Sequence, residues 1–183
     1  MKKNFVEVFI KYRSLVGTLC LLVLLYSARP SAPSITIGFF LILGGTFFRA
    51  WSSGHINKDN ELATGGPYAL TRNPLYFGNF LLGLGIAVAG NTWVTYAIFL
   101  AFYLMFFPFL MVVEHRRMKK KFGEDYEAWS RKSNSFFPKI KSVKGGSFNI
   151  SYYMKNREYR VLFFSLFVVA VLVLKYLRLL RLG

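Results

Sequence analysis

Five apolar runs, at about residues 14–28, 34–51, 75–89, 93–113 and 161–174, constrain this chain more than any other feature. Each approaches the roughly 20 residues that a helix needs to cross a bilayer, although the first, third and fifth are short. In lipid the backbone must satisfy its own hydrogen bonds, so the runs are expected to be helices rather than isolated strands. Only Arg29-Pro30-Ser31-Ala32-Pro33 joins the first two, and Gly90-Asn91-Thr92 joins the third and fourth. Connections this short imply antiparallel hairpins. The expected fold class is all-α: an integral membrane helical bundle of about five transmembrane helices, forming a single domain over residues 1–183.

Charge orients the bundle. The chain carries 24 Lys and Arg against 8 Asp and Glu, a formal net charge of +16, while 54% of its residues are hydrophobic. That pairing fits a membrane protein whose loops lie on anionic lipid. Basic residues flank the apolar runs and no nucleic-acid motif is present, which argues against a nucleic-acid partner. Lys2, Lys3, Lys11 and Arg13 precede the first run; Arg49, Lys58 and Arg72 lie around the second loop; residues 114–160 are heavily basic. The first hairpin turn has only Arg29 and the Gly90 turn has no charge. Positive charge stays on the cytosolic side. The N-terminus, the second loop and the basic stretch are therefore expected in the cytosol, as in a bacterial or archaeal inner membrane. Lys175, Arg178 and Arg181 would then end outside if the fifth run spans, so a span and an interfacial placement both stay open. The first run is read as a span, since only Ser27-Ala28-Arg29-Pro30 follows it and no cleavage pattern of small residues is present.

Two stretches do not look like bilayer filling. The first is Gly65-Gly66-Pro67-Tyr68-Ala69-Leu70-Thr71-Arg72-Asn73-Pro74-Leu75-Tyr76-Phe77-Gly78. Its glycines permit close backbone approach, and its loop could offer backbone N–H groups to a polar or anionic ligand. Asn73 followed by Pro74 reads as an N-cap and first helical position. Arg72, Asn73 and Tyr76 can converge on one site. The second stretch begins at Glu114-His115-Arg116-Arg117 and ends at Phe136-Phe137-Pro138. A carboxylate at a membrane boundary is costly unless paired or useful, so Glu114 either pairs with Arg117 or faces a cofactor or reacting group. Arg49, inside the second run, either snorkels to headgroups, holds an anionic group or pairs with Glu114. Residues 115–132 read as a cytosolic amphipathic helix interrupted at Gly123, with Met118, Phe122, Tyr126 and Trp129 as an apolar stripe that would lie on the membrane. Gly83-Leu84-Gly85 reads as close helix packing. A lone Cys20 and the widely separated His55 and His115 give no metal site. No Walker loop, HExxH, GxGxxG or Ser-His-Asp set is present.

The ordered string Gly66-Pro67-Tyr68, Arg72-Asn73-Pro74-Leu75-Tyr76-Phe77-Gly78, Glu114, Phe122-Gly123, Tyr126 and Pro138 resembles the isoprenylcysteine carboxyl methyltransferase and phospholipid methyltransferase superfamily, over about residues 40–138. The resemblance implies a cytosol-facing pocket for S-adenosylmethionine and a lipophilic substrate, either a phospholipid amine or a prenylcysteine-like carboxylate, entering from membrane lipid. It places Gly66, Pro67, Tyr68, Arg72, Asn73, Pro74, Tyr76, Gly78, Glu114 and Tyr126 around the cofactor, and Glu114, His115 and Arg49 near the chemistry. The chain departs from the carboxyl methyltransferase pattern at Asn73, where that pattern has His, at His115, where it has a second Glu, and at Leu110, where it has Arg. A lipid amine must lose a proton before it can act as a nucleophile, so Glu114 or His115 becomes a candidate base. Two alternatives stand beside this reading. His115-Arg116 and Lys121-Phe122-Gly123-Glu124-Asp125-Tyr126 also resemble the C-terminal half of NADPH-dependent sterol reductases, and a non-catalytic membrane scaffold would be indifferent to changes at Arg72 and Glu114.

Overall fold

The computed structural model describes residues 3–56, 61–139 and 145–182; Lys2, Lys58 and, within the basic stretch, Lys141 and Lys144 lie outside them. Seven α-helices follow in order, with no strand among the described residues: α1 Lys3–Ser27, α2 Ala32–Ser53, α3 Pro67–Leu70, α4 Pro74–Gly90, α5 Trp93–Lys132, α6 Ile150–Lys155 and α7 Tyr159–Leu182. Three stretches, Ala32–Ser53, Trp93–Lys132 and Tyr159–Arg181, are long and apolar enough to cross a membrane. The apolar helix α4 is shorter, at 17 residues.

The two hairpin turns meet at one end of the bundle. Ser31 and Ser34 form a capping box that starts α2, and Thr92 and Thr95 form another that starts α5. Each box satisfies backbone donors that a helix start leaves bare. The Arg29 N–H donates to Gly90 O at 2.8 Å, and Asn91 Nδ2 donates to Arg29 O at 3.3 Å. The two turns are therefore stapled to each other.

Glycine decides how α2 and α4 meet. Gly38 and Gly45 stand two turns apart on α2, and Gly78 and Gly85 stand two turns apart on α4. The helices are antiparallel, so Gly38 faces Gly85 and Gly45 faces Gly78. A Cβ on Gly38 would lie 2.6 Å from Gly85 O, and one on Gly45 would lie 2.8 Å from Gly78 O. Backbones in contact at this distance gain van der Waals packing that no side chain could supply in lipid. The packing role read for Gly85 is thus found, and Gly83 likewise makes room for the Phe99 ring.

The fifth apolar run crosses the full height of the bundle. Val168 and Leu172 are buried in a core with Leu24, Ile42, Leu82 and Ile86. Ser165 and Thr46 share a hydroxyl hydrogen bond of 3.0 Å. Further along, Lys175 Nζ donates to Leu25 O at 2.7 Å and Tyr26 O at 2.6 Å. A cation on the last carbonyls of α1 is favourable there, which accounts for a lysine in an apolar helix. A second core is aromatic: Tyr103, Phe106, Phe107 and Leu110 of α5 pack with Phe80 and Phe99, and Phe136 closes it from the basic stretch.

Helix α5 reverses at Gly123. That residue has φ 51° and ψ −126°, which no residue with a Cβ adopts readily. In a straight helix, residues eleven apart are separated by about 16 Å along the axis. Instead His115 Nδ1 and the Tyr126 hydroxyl are 2.9 Å apart, and Lys119 Nζ lies 2.6 Å from Glu127 Oε1. Residues 124–132 therefore fold back on the first arm of α5. Gly123→Val is expected to cost about 1–3 kcal/mol through backbone strain alone, since no atom crowds the position. Limited proteolysis between residues 123 and 132 checks this: cleavage should accelerate in the variant, and unchanged resistance would contradict the strain argument.

Candidate functional site

At the end opposite the hairpin turns, backbone hydrogen bonds draw the two signature stretches together. Arg72 N–H donates to Asn134 O at 2.9 Å, and Lys139 N–H donates to Leu70 O at 2.8 Å. Between them Thr71 Oγ1 donates to Phe136 O at 2.9 Å, and Asn73 Nδ2 donates to Ser135 O at 2.7 Å. Over this seam and the cytosol-assigned ends of α2, α4 and α5 sits a cavity of about 430 Å³.

Its walls come from nearly every element. Tyr68, Arg72, Asn73, Pro74 and Tyr76 line it from the first signature, and Glu114 and Tyr126 from the second. Arg49 reaches it from α2. Four expected site residues lie elsewhere. Gly78 is pressed against Gly45 and the Arg49 stem, so it spaces two helices and does not line the cavity. Gly66, with φ 56°, turns the chain over the His55 ring, and Pro67 is fully buried behind it. His115 stands off the wall and holds the Tyr126 hydroxyl.

Three further readings are corrected. The Gly66 N–H is not open to a ligand, because it donates to Gly145 O at 2.9 Å; the Gly65-Gly66 loop docks on Gly145-Gly146. Asn73 occupies the N-cap position of α4, but its side chain makes no cap hydrogen bond and instead reaches across to Ser135. Pro74 at the first helical position is found as read. The stripe of Met118, Phe122, Tyr126 and Trp129 lines the cavity, because the reversal at Gly123 turns the second arm back over the first.

Arg49 does not pair with Glu114. It pairs with Glu158, through Nε to Oε2 at 3.1 Å and Nη2 to Oε1 and Oε2 at 2.7 and 2.9 Å, while Nη1 donates to Asn79 Oδ1 at 2.7 Å. Glu114 has Arg117 as a loose neighbour at 3.9 Å and stays partly exposed. Sequence reasoning missed Glu158, Asn79 and Arg13, which also line the cavity. The available signal was polarity out of place: Asn79 lies within an apolar run, and Glu158 is an acid in a heavily basic stretch three residues before another.

Two buried polar atoms on this wall have no hydrogen-bond partner among the described residues, the Tyr68 hydroxyl and Arg72 Nε. Leaving such a group unsatisfied costs about 1–3 kcal/mol, so each is a donor held ready for something the cavity receives. Burial, aided by the Glu114 and Glu158 charges and opposed by Arg49, pushes the Tyr68 hydroxyl above the tyrosine range and keeps it protonated. Burial likewise raises the Tyr126 hydroxyl, with the neighbouring Arg72 guanidinium pulling the other way. Tyr68→Phe is expected to leave the ligand-free protein as stable or about 1 kcal/mol more stable, since it removes an unpaired group. A thermal melt of the purified variant reads this, and a loss of stability would show that the hydroxyl is bonded within the protein.

The cobalt-zinc-cadmium resistance protein CzcN of Cupriavidus metallidurans is 35% identical over 142 residues, 74% of this chain and 64% of that protein. The nickel-cobalt-cadmium resistance protein NccN of Alcaligenes xylosoxydans xylosoxydans is 32% identical, over 64% of this chain and 55% of its own length. The protein-S-isoprenylcysteine O-methyltransferase of Schizosaccharomyces pombe is 30% identical, over 55% of this chain and 42% of its own length. The chain thus spans less than two thirds of the length of each of these relatives. No solved structure gives a significant match. Residues 12–125 match the phospholipid methyltransferase family, a stretch that carries the first signature, Glu114 and the reversal at Gly123, and the chain belongs to that family.

Proposed function

We propose that this protein transfers a methyl group from S-adenosylmethionine to a lipophilic acceptor at the cytosolic edge of the membrane. The observation that carries this reading is the pair of unpartnered buried donors, Tyr68 hydroxyl and Arg72 Nε, on the wall of a cavity whose other side is the apolar stripe. A small molecule with both polar and apolar parts matches such a wall. When bound, S-adenosylmethionine supplies an electrophilic methyl on its sulfonium sulfur. Tyr68, Arg72 and Asn73 would hold its polar groups. Met118, Phe122 and Trp129 would exclude water from the reacting centre. Glu114, the partly exposed carboxylate on the same wall, would take the proton from a neutral acceptor such as a lipid amine. His115 would act through Tyr126, whose hydroxyl it orients.

The cytosolic placement is supported by the basic residues of α5 around the cavity and the near absence of charge at the hairpin turns. With Cys20 changed to Ser, a single cysteine at Thr92 should react with an impermeant thiol reagent on intact cells, and one at Lys132 should not; the reverse pattern would invert the topology. The function is tested by incubating the purified protein with methyl-labelled S-adenosylmethionine and a total membrane lipid extract, then identifying the labelled lipid. Labelled product is the expected result. Binding of NADPH with no binding of S-adenosylmethionine would replace this reading with a reductase.

A further inference from the structure

The family match ends at residue 125, yet one wall of the cavity comes from beyond it. Glu158 stands one residue before α7, its side chain 9% exposed. Arg49, 13% exposed, donates to both of its carboxylate oxygens. A guanidinium has five N–H donors in a rigid fork. Nε and Nη2 are spent on Glu158, and Nη1 gives one N–H to Asn79. The second N–H of Nη1 takes no protein acceptor among the described residues, and all three side chains line the cavity.

This network spans α2, α4 and the start of α7. Among the described residues the Asn79 amide oxygen accepts from Arg49, and Glu158 balances the Arg49 charge. Glu114, the other carboxylate that Arg49 could have sought, is left to the opposite wall. A largely buried guanidinium held by Glu158 on its Nε/Nη2 edge and by Asn79 on Nη1, with one donor remaining in a cavity, is oriented for an anionic oxygen.

We infer that Glu158 and Asn79 are positioning residues that hold Arg49 so that its remaining Nη1 donor binds the carboxylate of the methyl donor. The inference rests on the methyltransferase reading above. It makes α7, outside the matched family stretch, part of the binding unit and not only a neighbouring helix. The bulk role of α7 is separable, because the Thr46–Ser165 hydrogen bond ties the same two helices away from the cavity.

The test is titration calorimetry of the full chain in detergent with S-adenosylmethionine and with its decarboxylated analogue. The unaltered protein should bind the carboxylate-bearing compound about tenfold more tightly, the scale of one charge-assisted hydrogen bond. Glu158→Gln and Asn79→Ala should erase most of that preference, and Ser165→Ala should retain it. Retained preference in both positioning variants, or none in the unaltered protein, overturns the inference. Should Glu158→Gln fail to fold, Asn79→Ala alone decides. If the unaltered protein binds neither compound, the methyltransferase reading falls and this inference falls with it; binding of both with equal strength sinks only the inference.

Discussion

Gly85→Leu is expected to abolish the folded bundle. A Cβ at this position would lie 2.8 Å from Gly38 O and 2.8 Å from Ile42 N, both backbone atoms that cannot rotate away. A leucine needs several ångströms more. Helices α2 and α4 would have to separate along their length, losing the Gly45–Gly78 contact and moving Asn79 away from Arg49. Overpacking of a close interface ordinarily costs about 1–3 kcal/mol. A clash with two helix backbones belongs above that range, at more than about 4 kcal/mol. Gly44→Leu is the matched control: it sits on the same helix, exposed, with no atom within 4 Å of an added Cβ. It should be neutral or slightly stabilising, because leucine is the better helix former. The measurement is monodisperse yield and melting temperature in detergent for both variants. Equal behaviour of the two would mean that α2 and α4 do not meet through their glycines.

Glu114→Gln is expected to lower methyl transfer to a lipid amine by about 10²–10⁴-fold, the usual loss on removing a general base. Glutamine keeps the shape and accepts a hydrogen bond but cannot take a proton. Binding of S-adenosylmethionine should change little, since the donors assigned to it are Tyr68 and Arg72. His115→Ala should be milder, because His115 reaches the cavity only through the Tyr126 hydroxyl. A rate series across pH separates the roles. If Glu114→Gln and His115→Ala both retain full activity at every pH, neither residue serves as the base and an acceptor that needs none, such as a carboxylate, becomes the better reading.

Much of the architecture was legible because it follows from local chemistry. Apolar runs of bilayer length must be helical, and connections of three to five residues must make hairpins. The interruption at Gly123 was visible as a glycine in an amphipathic stretch, and Gly83 and Gly85 as packing positions, whereas the packing role of Gly78 was not. What could not be read was direction. The stripe of Met118, Phe122, Tyr126 and Trp129 has the same spacing whether it faces lipid or a cavity, and only the reversal at Gly123 turns it to the cavity. The Gly65-Gly66 loop has free N–H groups in isolation, and loses one to Gly145 some eighty residues later.

Asn73 and Arg49 draw the line most clearly. Residue type and order alone determined a helical membrane bundle, the charge asymmetry of its loops and the two stretches that come to line its cavity, because hydropathy and turn chemistry act over a few residues at a time. The tertiary structure decided which polar group meets which. Asn73 leaves its helix uncapped to reach Ser135, and Arg49 passes over Glu114 for Glu158. Most buried polar groups take whatever partner the packed helices bring within about 3 Å, and no local pattern specifies a partner 109 residues away.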